Sequence, residues 1–216
     1  MPTLVIANKN YSSWSLRPWL LLRVFDVDFE ELKLGLGTDG FRARIGELSP
    51  SGRVPVLHHG DRVVWDSLAI CEYINETWLD GRGWPAEPGL RALARSAACE
   101  MHAGFEALRA QLPMNCARRP DGYRWTSDAA RDIDRVCALW ADLRRASGRG
   151  PFLCGDFGIV DAMFAPVAVR FRGYGVTTGP EAREYIDRLL SLPAMREWIA
   201  AGVAEPERLE HYESLA

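Results

Sequence analysis

The sequence predicts an α/β domain followed by an all-helical domain, and three observations lead to this fold class. Strand-like and helix-like apolar patterns alternate over residues 1–80. Glycines and prolines then crowd residues 81–89, a composition that interrupts regular structure and indicates a linker. From residue 90 to residue 216, apolar residues recur at intervals of three or four, the spacing of helices. We therefore predict domains at 1–80 and 90–216, joined by a linker at 81–89.

The first elements are predicted to form a strand–helix–strand unit. Thr3–Ala7 is a short apolar run typical of a buried strand, and Leu16, Leu20 and Val24 then repeat at helical spacing. Phe29–Leu34 predicts a second strand because it ends in a glycine-containing loop. Since crossovers of this kind join parallel strands, the two strands are predicted to be parallel.

A hairpin and a helix are predicted to complete the first domain. Val54–Leu57 and Arg62–Trp65 flank a His-Gly-Asp turn, which indicates two antiparallel strands. Asp66 and Ser67 then open a helix. The order strand–helix–strand followed by strand–strand–helix is that of a thioredoxin-like domain.

The second domain is predicted to be a helical bundle. Leu90–Leu112 has the periodicity of one long amphipathic helix, which ends before a proline. A second long helix is predicted to begin at Ser127 or Asp128. Ile159–Phe171 is apolar on all sides, as expected of a helix at the centre of a bundle. We interpret Asp161, near the start of that helix, as a structural capping residue.

Composition and charge exclude several classes of function. The chain carries 26 basic and 29 acidic side chains, a formal net charge of −3. Because there is no basic excess, neither nucleic acid nor a membrane is expected as a partner. No apolar run reaches the roughly 18 residues of a spanning helix, and the first residues lack the layout of a signal peptide. We expect a cytoplasmic protein.

The five cysteines stand singly, with no C-x-x-C pair and no histidine at metal-ligand spacing. Free cysteines in apolar helical stretches usually behave as small buried hydrophobic residues. We therefore expect neither disulfides nor a metal site.

Three motifs resemble those of the cytosolic glutathione transferases, and the resemblance covers nearly the whole chain. Ser12–Leu22 resembles the zeta-class signature, although Trp14 replaces its cysteine and Leu16 its tryptophan. Leu48–Leu57 is similar to the segment that ends in a cis Val-Pro bond. Trp65–Ile74 is similar to the acidic-Ser pair and helix that hold the γ-glutamyl end of glutathione.

The resemblance implies glutathione as co-substrate and a residue that stabilises its thiolate. The thiolate is the nucleophile, but a thiol with a pKa of about 8.5 is mostly protonated at neutral pH. A hydroxyl of Ser12, at the start of the first helix, is predicted to donate to sulfur, with support from the helix N-terminus. Helix capping alone would also explain a serine here. The candidates, in order of preference, are Ser12, Ser13, Tyr11 and Asn10, with Tyr11 also a glutathione-binding residue.

The resemblance also implies contacts for the rest of glutathione. The backbone of Val54, with a cis bond to Pro55, is expected to pair with the cysteinyl backbone, and Pro55 is predicted to lie in an edge strand. Ser67 is expected to face the γ-glutamyl carboxylate and Asp66 the ammonium group. Arg53 is predicted to contact the glycyl carboxylate. Capping by Asp66 and Ser67, and a solvated Arg53, are the alternative interpretations.

The electrophile is expected between the domains, beside Trp14 and the first long helix. Met101, Phe105 and Arg109 are spaced by four on that predicted helix and would share a face. The predicted function is attack of the glutathione thiolate on a small hydrophobic electrophile, and the resemblance implies a homodimer. One alternative is a glutathione-dependent isomerase of a maleyl-type substrate, which Trp14 disfavours. The other is a transferase-like interaction protein without activity.

Overall fold

The chain begins with a four-stranded sheet that carries three helices and continues as helices alone. A computed structural model describes residues 1–120, 122–148 and 150–213. The first part contains β1 (Thr3–Ala7), α1 (Ser13–Val24), β2 (Glu30–Leu34), α2 (Asp39–Leu48), β3 (Val56–His59), β4 (Arg62–Trp65) and α3 (Ser67–Thr77). The second contains α4 (Pro88–Ala103), α5 (Glu106–Gln111), α6 (Ser127–Ala146), α7 (Ile159–Gly173), α8 (Pro180–Ser191), α9 (Pro193–Ala204) and α10 (Glu210–Glu213). The predicted fold class, a thioredoxin-like domain followed by a helical bundle, is confirmed.

The strands lie in the order β2-β1-β3-β4. β1 pairs in parallel with β2, as predicted, and β3 and β4 form the predicted antiparallel hairpin. β1 also pairs antiparallel with β3, a contact that no local pattern predicted. The prediction that Pro55 lies in an edge strand is wrong, because β3 is internal. Pro55 directly precedes β3, so its missing N–H removes no hydrogen bond from the ladder.

Helix α2, between β2 and β3, was not predicted. Its apolar stripe is too weak to recognise, since Ile45 is its one buried residue. The hydroxyl of Thr38 caps the helix by accepting the N–H of Phe41 at 3.0 Å. The first domain therefore has one more helix than the sequence pattern indicated.

The prediction of one continuous helix over Leu90–Leu112 is wrong, because α4 and α5 are separate. Gly104 has extended backbone, with φ −106° and ψ −162°, and Phe105 follows in the left-handed region at φ 58°. A Cβ atom on Gly104 would lie 2.8 Å from the carbonyl oxygen of Glu100, so a side chain does not fit there. The break changes the direction of the chain, and Met101 and Arg109 consequently do not share a helix face.

Helix α7 is the central helix of the second part, as predicted, and packs against α1, α4 and α8. Asp161 near its start is fully buried and accepts hydrogen bonds from the N–H groups of Leu153 and Gly158 and from the hydroxyl of Tyr185. Burial raises the pKa of Asp161 to about 7, against the lowering effect of these donors. Asp161 therefore caps the helix start, as predicted, through the N–H of Gly158 at 3.0 Å, while Gly158 has no side chain to return a hydrogen bond.

Candidate active site

A cavity of about 530 Å³ opens between the start of α1 and the helical part. A smaller pocket of about 290 Å³ adjoins it, and Trp14, Arg53 and Val54 line both. The larger cavity is bounded by two walls. The α/β wall consists of Ser12, Ser13 and Val54, and the helical wall of Arg109, Arg170 and Tyr212.

Ser12 is the N-cap residue of α1 and lines the cavity. Its Oγ accepts the N–H of Ser15 at 3.4 Å and donates to Ser15 Oγ at 2.7 Å. Ser15 Oγ in turn accepts the N–H of Ala7 at 3.3 Å, which ties the helix start to β1. Within the described residues the N–H of Trp14 has no acceptor. The start of α1 therefore presents a hydroxyl, a free N–H and positive potential to the cavity.

Ser13 and Tyr11 also line the cavity, but their side chains have different partners. Ser13 Oγ accepts from Arg170 Nη2 at 3.3 Å, which leaves its own proton free. The Tyr11 hydroxyl donates to Glu213 at 2.5 Å. Burial and this carboxylate raise the pKa of Tyr11. Asn10 is fully buried and does not line the cavity.

Three arginines, Arg17, Arg109 and Arg170, surround Trp14 and the start of α1. The guanidinium groups of Arg17 and Arg109 lie 4.2 and 5.5 Å from the centroid of the Trp14 ring. Burial lowers the pKa of Arg17 to about 9 and that of Arg170 to about 10, and repulsion between the arginines adds to this effect. Over the described ranges none of the three forms an ion pair with a carboxylate.

Sequence reasoning missed Arg17 and Arg170 as site residues. Each interrupts an apolar helical run, and a charge in a run that is otherwise buried was the signal available. The direction in which each guanidinium points depends on how α1 and α7 pack together, which no local pattern shows.

The smaller pocket contains the remaining predicted glutathione-binding residues. The Val54–Pro55 peptide bond is cis, as the resemblance implied. Among the described residues neither the N–H nor the C=O of Val54 has a hydrogen-bond partner, so both are available to a ligand. Ser67 is buried at the first position of α3, where its Oγ accepts from Arg17 Nη1 at 3.1 Å. Arg53 lines the pocket and is exposed.

Asp66 is the N-cap residue of α3 and adopts a positive φ of 75°. Its Oδ1 accepts the N–H of Leu68 at 2.9 Å, so the capping interpretation holds for this residue. Its Oδ2 lies 3.1 Å from Nε2 of His102, a residue of α4 that sequence reasoning missed.

The helical wall differs from the prediction. Met101 is fully buried and Phe105 nearly so, and neither lines the cavity or the smaller pocket, whereas Arg109 lines the cavity. The predicted common face of these three residues does not exist because α4 ends before Phe105. The apolar surface of the cavity comes instead from Leu36, Phe41, Pro113, Met114 and Tyr212.

Glu205, at the end of α9, holds the loop that leads into α1. Its carboxylate is 7% exposed and accepts the N–H groups of Lys9 at 2.9 Å and Asn10 at 3.0 Å. Lys33 Nζ lies 3.2 Å from the same carboxylate. This contact joins residues almost 200 positions apart, so no local sequence pattern indicates it.

The cysteines lie outside the site. Burial raises the pKa of Cys71 well above its ordinary value and that of Cys116 to about 12, so their thiols are protonated at neutral pH. In the part of the chain that the structure describes, no three His, Cys, Asp or Glu side chains are placed to hold a metal ion. Within the same ranges, no helix combines the length and apolar character needed to cross a membrane.

Comparisons with known proteins match this arrangement. The family model of the glutathione S-transferase N-terminal domain matches residues 11–77, and that of the C-terminal domain matches residues 92–201. A probable maleylacetoacetate isomerase from Caenorhabditis elegans is 31% identical over 83% of this chain and 83% of that protein. Glutathione S-transferase GstB from Escherichia coli (strain K12) is 26% identical over 86% of this chain and 92% of that protein.

Solved structures show the same fold. The tau class glutathione S-transferase MiGSTU from mango has a TM-score of 0.72 at 22% identity, covering 100% of this chain and 98% of that chain. A glutathione transferase homolog from Burkholderia gl BGR1, with bound glutathione, has a TM-score of 0.70 at 22% identity. The second comparison covers 93% of this chain and 97% of that chain.

Proposed function

The chain belongs to the glutathione S-transferase family, and from this premise we propose how its residues carry out the glutathione transferase reaction. Glutathione lies along the smaller pocket with its thiol at the start of α1. The electrophile occupies the larger cavity, on the other side of Trp14. The observation that carries the proposal is the position of Ser12, which caps α1 where the helix N-terminus meets the cavity.

Ser12 stabilises the thiolate by donating its single hydroxyl proton to sulfur. Its Oγ continues to accept the N–H of Ser15, so the capping bond is kept. Ser15 Oγ, 2.7 Å away, can then donate its own proton to Ser12 Oγ in place of accepting one. A hydrogen bond to an ionised group is stronger than one between two neutral hydroxyls. Ionisation of the thiol therefore favours the arrangement in which Ser15 Oγ donates to Ser12 Oγ and Ser12 Oγ donates to sulfur.

The buried arginines add a positive field at the same place. Arg170 Nη2 donates to Ser13 Oγ at 3.3 Å, and the guanidinium of Arg17 lies 4.2 Å from the centroid of the Trp14 ring. Because neither forms an ion pair with a carboxylate among the described residues, these guanidinium groups stabilise a negative charge on sulfur at short range. Each unit by which they lower the thiol pKa corresponds to about 1.4 kcal/mol in favour of the thiolate.

The rest of glutathione is held by the smaller pocket. The free N–H and C=O of Val54 pair with the cysteinyl backbone as an added strand would. The γ-glutamyl carboxylate lies at the start of α3 beside Ser67, and its ammonium faces Asp66. Arg53, at the shared edge of cavity and pocket, contacts the glycyl carboxylate.

The cavity favours an electrophile with an apolar body and an acidic group. Its lining combines apolar side chains such as Phe41 and Met114 with Arg109 and Arg170. This observation supports a second candidate function, the isomerisation of a maleyl-type substrate, which carries carboxylates. Trp14 in the position of the zeta-class cysteine weighs against it, and an assay of cis-to-trans conversion distinguishes the two functions.

A homodimer completes the proposal. β4 is an edge strand that exposes Val63 by 37% and Trp65 by 47%, and Leu93 on α4 is exposed by 37%. Apolar side chains of this size on an edge strand favour burial against another protein surface. A monomer mass in gel filtration at micromolar concentration would contradict the dimer.

The thiol pKa of bound glutathione tests the catalytic proposal. Ultraviolet titration of the thiolate is carried out on the unmodified protein, Ser12→Ala and the matched control Ser13→Ala. We expect a bound pKa well below the free value of about 8.5 that returns towards it in Ser12→Ala. A shift lost in Ser13→Ala instead would transfer the role to Ser13. Absence of glutathione binding to the unmodified protein would contradict the proposed activity.

A further inference from the structure

The γ-glutamyl end of the smaller pocket is built from both parts of the chain. Asp66 and Ser67 come from the start of α3, whereas His102 comes from the last turn of α4. Asp66 uses one carboxylate oxygen to cap α3, through Leu68 N–H at 2.9 Å. The other oxygen, Oδ2, contacts His102 Nε2 at 3.1 Å.

The surroundings of His102 determine which ring nitrogen carries the proton in the neutral form. Nδ1 is buried and has no hydrogen-bond partner among the described residues. A proton on Nδ1 would leave a buried N–H without an acceptor, whereas a proton on Nε2 is donated to Asp66. Nε2–H of this tautomer therefore donates to the Asp66 carboxylate.

The ring of His102 is also held in its orientation. It lies edge-on to Trp14, with ring centroids 5.3 Å apart. Arg109 Nη1 contacts the backbone carbonyl of His102 at 3.4 Å. The imidazole is a second anchor for the Asp66 carboxylate, whose Oδ1 already accepts the N–H of Leu68 and whose residue is exposed.

We propose that His102 is a positioning residue that aims Asp66 at the ammonium group of the γ-glutamyl residue. The pair then selects tripeptides that carry this amine over analogues that lack it. The proposal rests on the proposed function, since it assumes that glutathione occupies the smaller pocket. Its chemistry is a charge-assisted hydrogen bond from ammonium to a carboxylate that is already oriented, which reduces the ordering cost of binding.

The test compares two ligands that differ by this amine, glutathione and glutaryl-cysteinyl-glycine. Dissociation constants for both are measured with the unmodified protein, His102→Ala, His102→Gln and the control His59→Gln, whose histidine contacts Tyr73 outside both pockets. We expect His102→Ala to weaken glutathione binding about tenfold, the size expected for one hydrogen bond to a charged group. Binding of the glutaryl analogue stays unchanged. His102→Gln, whose amide can donate to Asp66, recovers most of the loss.

A double-variant cycle separates positioning from a general structural role. Asp66→Asn keeps the capping oxygen but removes the charge, so His102→Ala should then no longer alter the ratio of the two dissociation constants. If His102→Ala weakened the binding of both ligands equally, or of neither, the ratio of the two dissociation constants would stay the same. This result would overturn the role of His102 and leave the proposed function intact. Failure of the unmodified protein to bind glutathione would overturn the proposed function itself.

Discussion

The α/β wall and the helical wall face each other across one cavity, yet they are assembled differently. In the α/β wall the hydroxyl of Ser12 is held by Ser15, three positions later, whereas Ser13 Oγ accepts from Arg170. The helical wall presents guanidinium groups and a tyrosine ring held by distant residues, such as Arg170 by the carbonyl of Leu112 at 2.8 Å. A hydroxyl held by short hydrogen bonds can donate to a ligand in only a few directions. The arginines of the helical wall act instead through positive electrostatic potential, which depends less on direction. The first wall therefore suits one ligand of fixed shape, and the second suits ligands that share a charge.

The largest effect is expected from the α/β wall. Ser12→Ala should lower kcat/KM about 100-fold or more, the loss seen when one donor to a developing anion is removed. With glutathione saturating, the rising limb of the pH profile of kcat/KM for the electrophile should also move to higher pH, because the thiol of bound glutathione ionises less readily. Steady-state kinetics from pH 6 to pH 9 measure both effects. A Ser12→Ala enzyme with an unshifted profile would show that the helical wall alone activates the thiol.

The connection between the two parts is tested by Glu205. Removal of its carboxylate in Glu205→Ala leaves the N–H groups of Lys9 and Asn10 buried without an acceptor. We expect a loss of about 2 kcal/mol in the free energy of unfolding, the penalty for such groups. Denaturant unfolding measures it, with Glu207→Ala as the control, since among the described residues the carboxylate of Glu207 makes one ion pair, with Lys33 at 3.7 Å. Equal losses in the two variants would remove Glu205 from this role.

The helical wall is tested by Arg109→Gln. KM for an electrophile that bears a carboxylate should rise about tenfold, the size of one charge-assisted contact. KM for a neutral electrophile of similar size should stay within about twofold of that of the unmodified enzyme, because only the charge has changed. An equal rise for both electrophiles would show that Arg109 shapes the cavity and does not select charge.

The smallest effect is expected at Ser15, which acts on the thiolate through Ser12. Ser15→Ala should reduce kcat/KM only a few-fold, about 1 kcal/mol, since Ser12 keeps its hydroxyl. In the double variant Ser12→Ala/Ser15→Ala, the second change should have little further effect on kcat/KM, since the two hydroxyls act as a unit. Additive losses would show that Ser15 acts on the fold through its bond to Ala7. Thermal unfolding of the four proteins provides the comparison.

The two walls also differ in how far the sequence could predict them. Ser12, Ser13 and Val54 belong to short motifs next to predicted strands and helices, so their positions in the fold follow from local order. Arg170 occupies a helix that was correctly predicted as central, but a pattern that says which residues are buried does not say what they face. The break at Gly104 was missed because a single glycine is also tolerated within a helix.

The helices and strands were likewise predictable where the local sequence pattern was strong. Strongly apolar segments such as Ile159–Phe171 were recognised as elements, whereas α2, with Ile45 as its one buried residue, was not. Contacts across large sequence distances, such as that of Glu205 with the Lys9–Asn10 loop, carry no local pattern. Their existence follows from how α9 packs on the first domain, and this becomes visible only in three dimensions.

Trp14 lies between the cavity and the smaller pocket, since it lines both. Under the proposed function, glutathione lies on one side of Trp14 and the electrophile on the other, so a shift of the ring on binding of one substrate changes the space left for the second. Such an effect is a coupling free energy, and linkage requires that each substrate alter the affinity for the other by the same factor. Trp14, which stands in the cysteine position of the zeta-class motif that this segment resembles, is thus the residue through which the two halves of the proposed site would be coupled.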